Sequence, residues 1–236
     1  MTGSLVSPAT RQRVRDLATP IATALGRLGL TPNALTIIGF IGTCGAAVAA
    51  AYQAWLVAGV LVLVFGIFDL FDGTLARATG RATKLGAFLD STFDRAGEGI
   101  VYVGIAAGAL AGGFPLGAVL AATAMTAAFM VSYTRAKAES LGFSPGSGLM
   151  NIGVAPREVR IAILAIGLIV TGMWFPLVAP DPCTATAPGV IHCVDVLVSQ
   201  PYGSYALGSA LSMITILATI TTIQRILHVR AQAQEG

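Results

Sequence analysis

The sequence predicts an all-α integral membrane protein with six transmembrane helices and an N-terminal amphipathic helix at the membrane interface. Three observations carry this. Of 236 residues, 55% are hydrophobic and 11% charged, with a mean hydropathy of +0.79; an average soluble protein is about 25% charged. The apolar residues gather into runs long enough to cross a bilayer, which takes about 20 residues of helix. The fourteen lysines and arginines keep to one set of the segments between those runs. Two parts follow: residues 1–30 as a juxtamembrane helix and residues 31–230 as one transmembrane domain. Membrane lipids are expected partners, and no nucleic-acid partner is expected.

Taken in order, Ser7 to Leu28 reads as an amphipathic helix. Val14, Leu17, Ala18, Ile21, Leu25 and Leu28 recur at helical spacing, opposite Arg11, Arg13, Arg15 and Arg27. A basic helix of this form lies on an anionic membrane surface. The first thirty residues lack the apolar core and small-residue exit of a cleavable signal. Gly29-Leu30-Thr31-Pro32-Asn33 breaks the helix. The six spans are Ala34 to Ala51, Trp55 to Leu75, Ala87 to Ala111, Pro115 to Tyr133, Ile161 to Phe175 and Tyr205 to Ile226. The fifth is short, and Pro156 marks an earlier start, since proline suits a first helical turn. Small residues such as Gly104, Gly108, Ala121 and Ala124 allow helices to approach closely. Cys44 reads as a small buried hydrophobe, whereas Cys183 and Cys193 share one loop and could form a disulfide in an oxidising compartment.

With six alternating spans, one side of the membrane holds both chain ends and the loops after spans two and four. All fourteen basic residues fall on that side or in the first turns of a span leaving it. The opposite side carries Tyr52-Gln53, Gly112-Gly113-Phe114 and the loop from Pro176 to Pro201, without a lysine or arginine. The positive-inside rule therefore places both termini at the cytoplasmic face of the cell membrane.

Four carboxylates interrupt the apolar pattern at that face. Asp69 and Asp72 are spaced i, i+3 and Asp90 and Asp94 i, i+4, so each pair shares a helical face. A charge at membrane depth costs about 2.5 to 3.5 kcal/mol on insertion scales, and like charges at these spacings repel. A bound cation relieves both costs. Carboxylates without histidine or cysteine suit a hard ion, Mg²⁺, Mn²⁺ or Ca²⁺, rather than zinc. Gly73 and Gly86 leave bare backbone beside the acids, where a ligand can approach.

Basic residues form a second constellation where spans four, five and six meet the same face: Arg135, then Arg157 and Arg160, then Arg225. Interfacial arginines often do no more than anchor helices. Beside a metal site on the same face, these four read as ligands of a phosphate dianion, for which the planar guanidinium fork is suited. Glu139 and Glu158 are expected to orient them.

The run Asp69-x-x-Asp72-Gly73-x-x-Ala76-Arg77-x8-Gly86-x3-Asp90-x3-Asp94 resembles the signature of the CDP-alcohol phosphotransferases at every fixed position, and the hydropathy pattern extends the likeness over roughly Thr31 to Arg230. The resemblance implies a homodimer of six-helix subunits around a polar cavity, acting in phospholipid biosynthesis. It implies a CDP-linked lipid donor, CDP-diacylglycerol, whose phosphatidyl group passes to an acceptor hydroxyl with release of CMP. It further implies two ions, Mg²⁺ or Mn²⁺, held by Asp69, Asp72, Asp90 and Asp94, with Asp94 as general base. Thr31, Pro32, Asn33, Gly73, Arg77 and Gly86 would contact the nucleotide. Ser132-Tyr133, Arg135-Ala136-Lys137-Ala138-Glu139 and Gln224-Arg225 are similar to the corresponding stretches of phosphatidylinositol phosphate synthases, which implies a phosphorylated polyol acceptor, inositol phosphate. The family's E-R-x-x-R opening of span five stands here as Pro156-Arg157-Glu158-Val159-Arg160, without the leading acid.

Two other readings compete. Glycerol 3-phosphate is the alternative acceptor within the class. A cation transporter is the alternative outside it, and its acids should recur at several depths along a conduction path, whereas these gather at one end.

Overall fold

A threonine hydroxyl and a proline start the first long helix, α1 (Pro32–Ala51): Thr31 Oγ1 accepts the Ala34 N–H at 3.2 Å, and Pro32 needs no partner in the first turn. The computed structural model describes residues 19–143, 149, 152–174, 183–187, 190–193 and 201–235. After α1 come α2 (Trp55–Ala78), α3 (Lys84–Ala111), α4 (Pro115–Ser140), α5 (Arg157–Trp174) and α6 (Pro201–Glu235). Residues 19–27 are also helical, while most of the expected N-terminal amphipathic helix lies outside the described residues.

The helices begin earlier or end later than the apolar runs. α3 begins at Lys84 rather than Ala87 because Thr83 Oγ1 accepts the Gly86 N–H at 3.0 Å and caps it. α5 starts directly after Pro156. The expectation of an all-α chain meets one exception. In the loop between α5 and α6, strands β1 (Cys183–Ala187) and β2 (Val190–Cys193) pair antiparallel. Threonine, valine and isoleucine favour such a ribbon. Its register sets the backbone of Cys183 opposite that of Cys193; their side chains, and hence the expected disulfide, lie outside the described residues.

The helices pack as a closed ring. α1 touches α2 and α3, α3 touches α4, α4 touches α6, α6 touches α5, and α5 returns to α2. Toward one end the ring is filled by an apolar core that includes Trp55, Ala58, Ile105, Leu168, Leu207 and Leu211. Glycine makes part of this closure possible. A Cβ on Gly104 would strike the carbonyl of Ala47, and one on Gly108 that of Ala50, so the α1 and α3 backbones lie in direct contact. Toward the other end the ring interior is polar and hollow.

Among the described residues, four helices are long and apolar enough to cross a membrane: α1, α2, α4 and, in α6, the stretch Gly203–Gln234. α3 and α5 fall short of that apolarity because of the charges they carry: Asp90 and Asp94 on α3 and Arg157 and Arg160 on α5 border the hollow, and Glu98 of α3 is buried beside it. The outer surface is apolar, with Ile41, Val48, Val103, Val119 and Ile216 exposed. In water such a surface would aggregate, and in a bilayer it is the solvent-matched face.

Candidate active site between two cavities

Three of the four acids of the motif stand where separate voids meet. One cavity, about 510 Å³, is bordered by Asp90 and Asp94 of α3, Arg135 of α4, Arg157 and Arg160 of α5, and Arg225 of α6. A second, about 170 Å³, is bordered by Pro32, Asn33, Asp72, Gly73, Arg77, Gly86 and Asp90. A small cleft of about 40 Å³ adjoins Asp72 and Asp94. Asp90 thus faces both large cavities, and Asp72 and Asp94 face one each and share the cleft.

The acids are held from several helices. Asp72 is almost fully buried, and Thr36 of α1 donates its hydroxyl to Asp72 Oδ2 at 2.6 Å. The Gly73 N–H donates to Asp72 Oδ1. Asp94 Oδ1 meets Arg157 Nη2 at 2.9 Å, and Arg95 lies 3.6 Å from Asp94 Oδ2. The side chain of Asp69 lies outside the described residues. Among the described residues no group of three or more acids, histidines or cysteines has metal-binding dimensions; these residues include Asp72, Asp90 and Asp94 but not the side chain of the fourth acid of the motif. Their chemistry nonetheless fits a hard divalent ion: the donors are all carboxylate oxygens, and a guanidinium already neutralises one of them.

The residues expected at the nucleotide divide in two. Pro32, Asn33, Gly73, Arg77 and Gly86 border the 170 Å³ cavity together. A Cβ on Gly73 would come within 3.4 Å of the Arg77 guanidinium, and one on Gly86 within 3.3 Å of Asn33 Oδ1, so both glycines leave room for polar neighbours. Thr31 does not border the cavity; its hydroxyl caps α1 and so sets where Pro32 and Asn33 stand.

The four arginines also part ways. Arg135 Nε donates to Glu139 Oε1 at 2.8 Å and remains about a third exposed. Arg157 faces the large cavity and reaches Asp94. Arg225 Nε donates to the Ile152 carbonyl at 3.1 Å and Nη1 to the Val131 carbonyl, so this side chain ties α6 to α4 and to the segment before α5. Arg160 departs from the expectation of a phosphate ligand. It is 1% exposed, and its fork is taken by Glu98, Nε to Oε1 at 3.0 Å and Nη2 to Oε2 at 3.0 Å, with Nη1 on the Ala155 carbonyl at 3.2 Å. Arg157 and Arg160 were expected to face one cavity together, but an i, i+3 step rotates a side chain about 60° round the helix. That rotation turns Arg160 toward a buried acid.

Glu98 and Thr36 were not singled out by sequence. Glu98 had a readable signal, since Asp90, Asp94 and Glu98 continue one i, i+4 series. Thr36 had none, because its role depends on α1 packing against α2.

Three comparisons bear on this geometry. The profile of a family described as CDP-alcohol phosphatidyltransferase matches residues 29–229. Among curated relatives, the chain is 40% identical over 156 residues to archaetidylinositol phosphate synthase of Pyrococcus horikoshii, covering 66% of this chain and 78% of that one. It is 34% identical over 215 residues to phosphatidylinositol phosphate synthase of Cutibacterium acnes, covering 89% and 91%. Among solved structures, it is similar to phosphatidylinositol phosphate synthase of Mycobacterium tuberculosis with CDP-DAG bound, at a TM-score of 0.68 and 27% identity over 91% of this chain and 94% of that one. The same mycobacterial enzyme in complex with manganese and citrate matches at a TM-score of 0.66, with 27% identity over 90% and 88%.

Proposed function

Because the chain belongs to the CDP-alcohol phosphatidyltransferase family, we propose that it transfers the phosphatidyl group of CDP-diacylglycerol to a hydroxyl of inositol phosphate and releases CMP. The observation that carries this reading is the junction of cavities at Asp90. One cavity has Asn33, Gly73, Arg77 and Gly86 for a nucleotide, and the other has Arg135, Arg157 and Arg225 for the acceptor's phosphate. The relatives' names, phosphatidylinositol phosphate synthase and its archaeal counterpart, support the acceptor.

In this mechanism the acceptor phosphate lies against Arg135 and Arg157, which turns its reacting hydroxyl toward Asp94. Asp94 takes the hydroxyl proton as the new P–O bond forms and the pyrophosphate P–O bond breaks, and CMP leaves with the bonding electrons. Asp69, Asp72, Asp90 and Asp94 would hold two divalent ions, which supply charge neutralisation for the leaving phosphate. Thr36 and the Gly73 N–H hold the carboxylate of Asp72 in one orientation, as partners behind a metal ligand do.

In the same reading residues 31–230 form the catalytic domain and residues 1–30 lie along the membrane surface. All six helices cross the bilayer, with the acids and both chain ends cytoplasmic, and the working unit is a homodimer. The charge asymmetry of the loops supports the sidedness, and light scattering of the purified protein in detergent tests the dimer.

The test is CMP release by purified protein with CDP-diacylglycerol and Mg²⁺ or Mn²⁺, one acceptor at a time. Metal-dependent release with inositol phosphate is expected. Release with glycerol 3-phosphate instead would replace the acceptor. No release with any acceptor, in folded protein, would overturn the transferase.

A further inference from the structure

We propose that Glu98 and Arg160 are positioning residues that fix α5 against α3 so that Arg157 stands beside Asp94 in the wall of the acceptor cavity. This rests on the transferase reading above.

α3 and α5 are not neighbours in the ring; they face each other across its hollow end. Two ionic rungs join them. Asp94 meets Arg157 at 2.9 Å, and four residues on along α3, three along α5, Glu98 meets Arg160 through both nitrogens of the fork at 3.0 Å. Both helices advance in the same sense from one rung to the next, so they run parallel. The two rungs differ in surroundings. Arg157 and Asp94 keep 22% and 15% of their side chains exposed to the cavity, while Arg160 and Glu98 keep 1% and 4%. Arg160 also binds the Ala155 carbonyl, so the inner rung holds the start of α5 as well. Tyr102, one turn further along α3 and 1% exposed, borders a small cleft together with Glu98 and Arg160.

Such a pair is a poor choice for stability alone. Burying two charges costs about as much as their attraction returns, and well-packed apolar residues of similar volume often serve as well or better. The well-attested use of a buried polar pair is to specify register. Here register has a consequence: sliding α5 by one residue, a rise of about 1.5 Å, would carry Arg157 out of hydrogen-bond reach of Asp94.

The decisive test is the double variant Glu98→Leu with Arg160→Met, with the single variant Glu98→Gln beside it. The single variant leaves Arg160 buried with half a partner and loses thermal stability. The double variant is expected to keep the wild-type Tm, to keep the KM for CDP-diacylglycerol within about twofold, to raise the acceptor KM, and to lower kcat by about 100-fold. The last is the loss that a misplacement of about 1 Å produces. A double variant with wild-type kcat and acceptor KM would overturn the proposal, and so would one with a lowered Tm, which assigns the pair to structure alone. Wild-type protein assayed in parallel separates the two readings, because absence of CMP release there defeats the transferase and not the pair.

Discussion

At the scale of single residues, Asp94, Thr36 and Arg135 each make a separable prediction. Replacing Asp94 by asparagine removes the proton acceptor while keeping its volume, and transfer should fall by about 10² to 10⁴-fold, the usual contribution of a general base. The variant should bind CDP-diacylglycerol as before, and near-normal turnover would end the assignment. Thr36→Val deletes the hydroxyl that holds Asp72 at 2.6 Å. Losing a partner of this kind typically weakens a metal site by about 10 to 100-fold, which Mn²⁺ titration followed by electron paramagnetic resonance reads without any turnover. Arg135→Ala should raise the acceptor KM and leave the donor KM alone, since among the described residues Arg135 pairs with Glu139 on its own helix, which is about a third exposed as well. Arg225 is a less clean probe: its guanidinium holds two backbone carbonyls, so its removal lowers Tm as well.

At the scale of elements, sequence and structure agree where a local rule decides and differ where packing does. The start of α5 after Pro156 was anticipated, whereas α1 and α3 begin two and three residues before the expected spans, at Pro32 and Lys84, where the Thr31 and Thr83 caps place them. The ring order is not visible, because apolarity on every side of a span does not say which side meets another helix. The acids and glycines of the motif were legible, since charge and bare backbone have few other uses at membrane depth. The separation of Arg157 from Arg160 was not legible, because it depends on Glu98, 62 residues away along the chain. The contact of α1 with α3 gives the test at this scale. Gly104→Leu would drive a side chain into the Ala47 carbonyl, and overpacking of this kind costs about 1 to 3 kcal/mol. A lowered Tm in detergent is expected, and an unchanged one would mean that the two helices are not in contact there.

For the whole molecule, the distribution of charge predicts a sidedness that labelling can test. With the native cysteines replaced, a cysteine at the exposed Tyr52 position should react with an impermeant maleimide added outside intact cells, and one at Arg81 only after lysis. The reverse pattern would invert the protein in the membrane. The two cavities that meet at Asp90 bear on the order of events. Apart from Asp90 each has its own lining, about 510 Å³ and about 170 Å³, so in the proposed reading a nucleotide and a phosphorylated acceptor would occupy different rooms and need not take turns. Both substrates can then be present when the bond is exchanged, and no phosphatidylated side chain is required between them. Initial-rate plots at several fixed acceptor concentrations should therefore intersect rather than run parallel, and a donor made chiral at the transferred phosphorus should give product of inverted configuration.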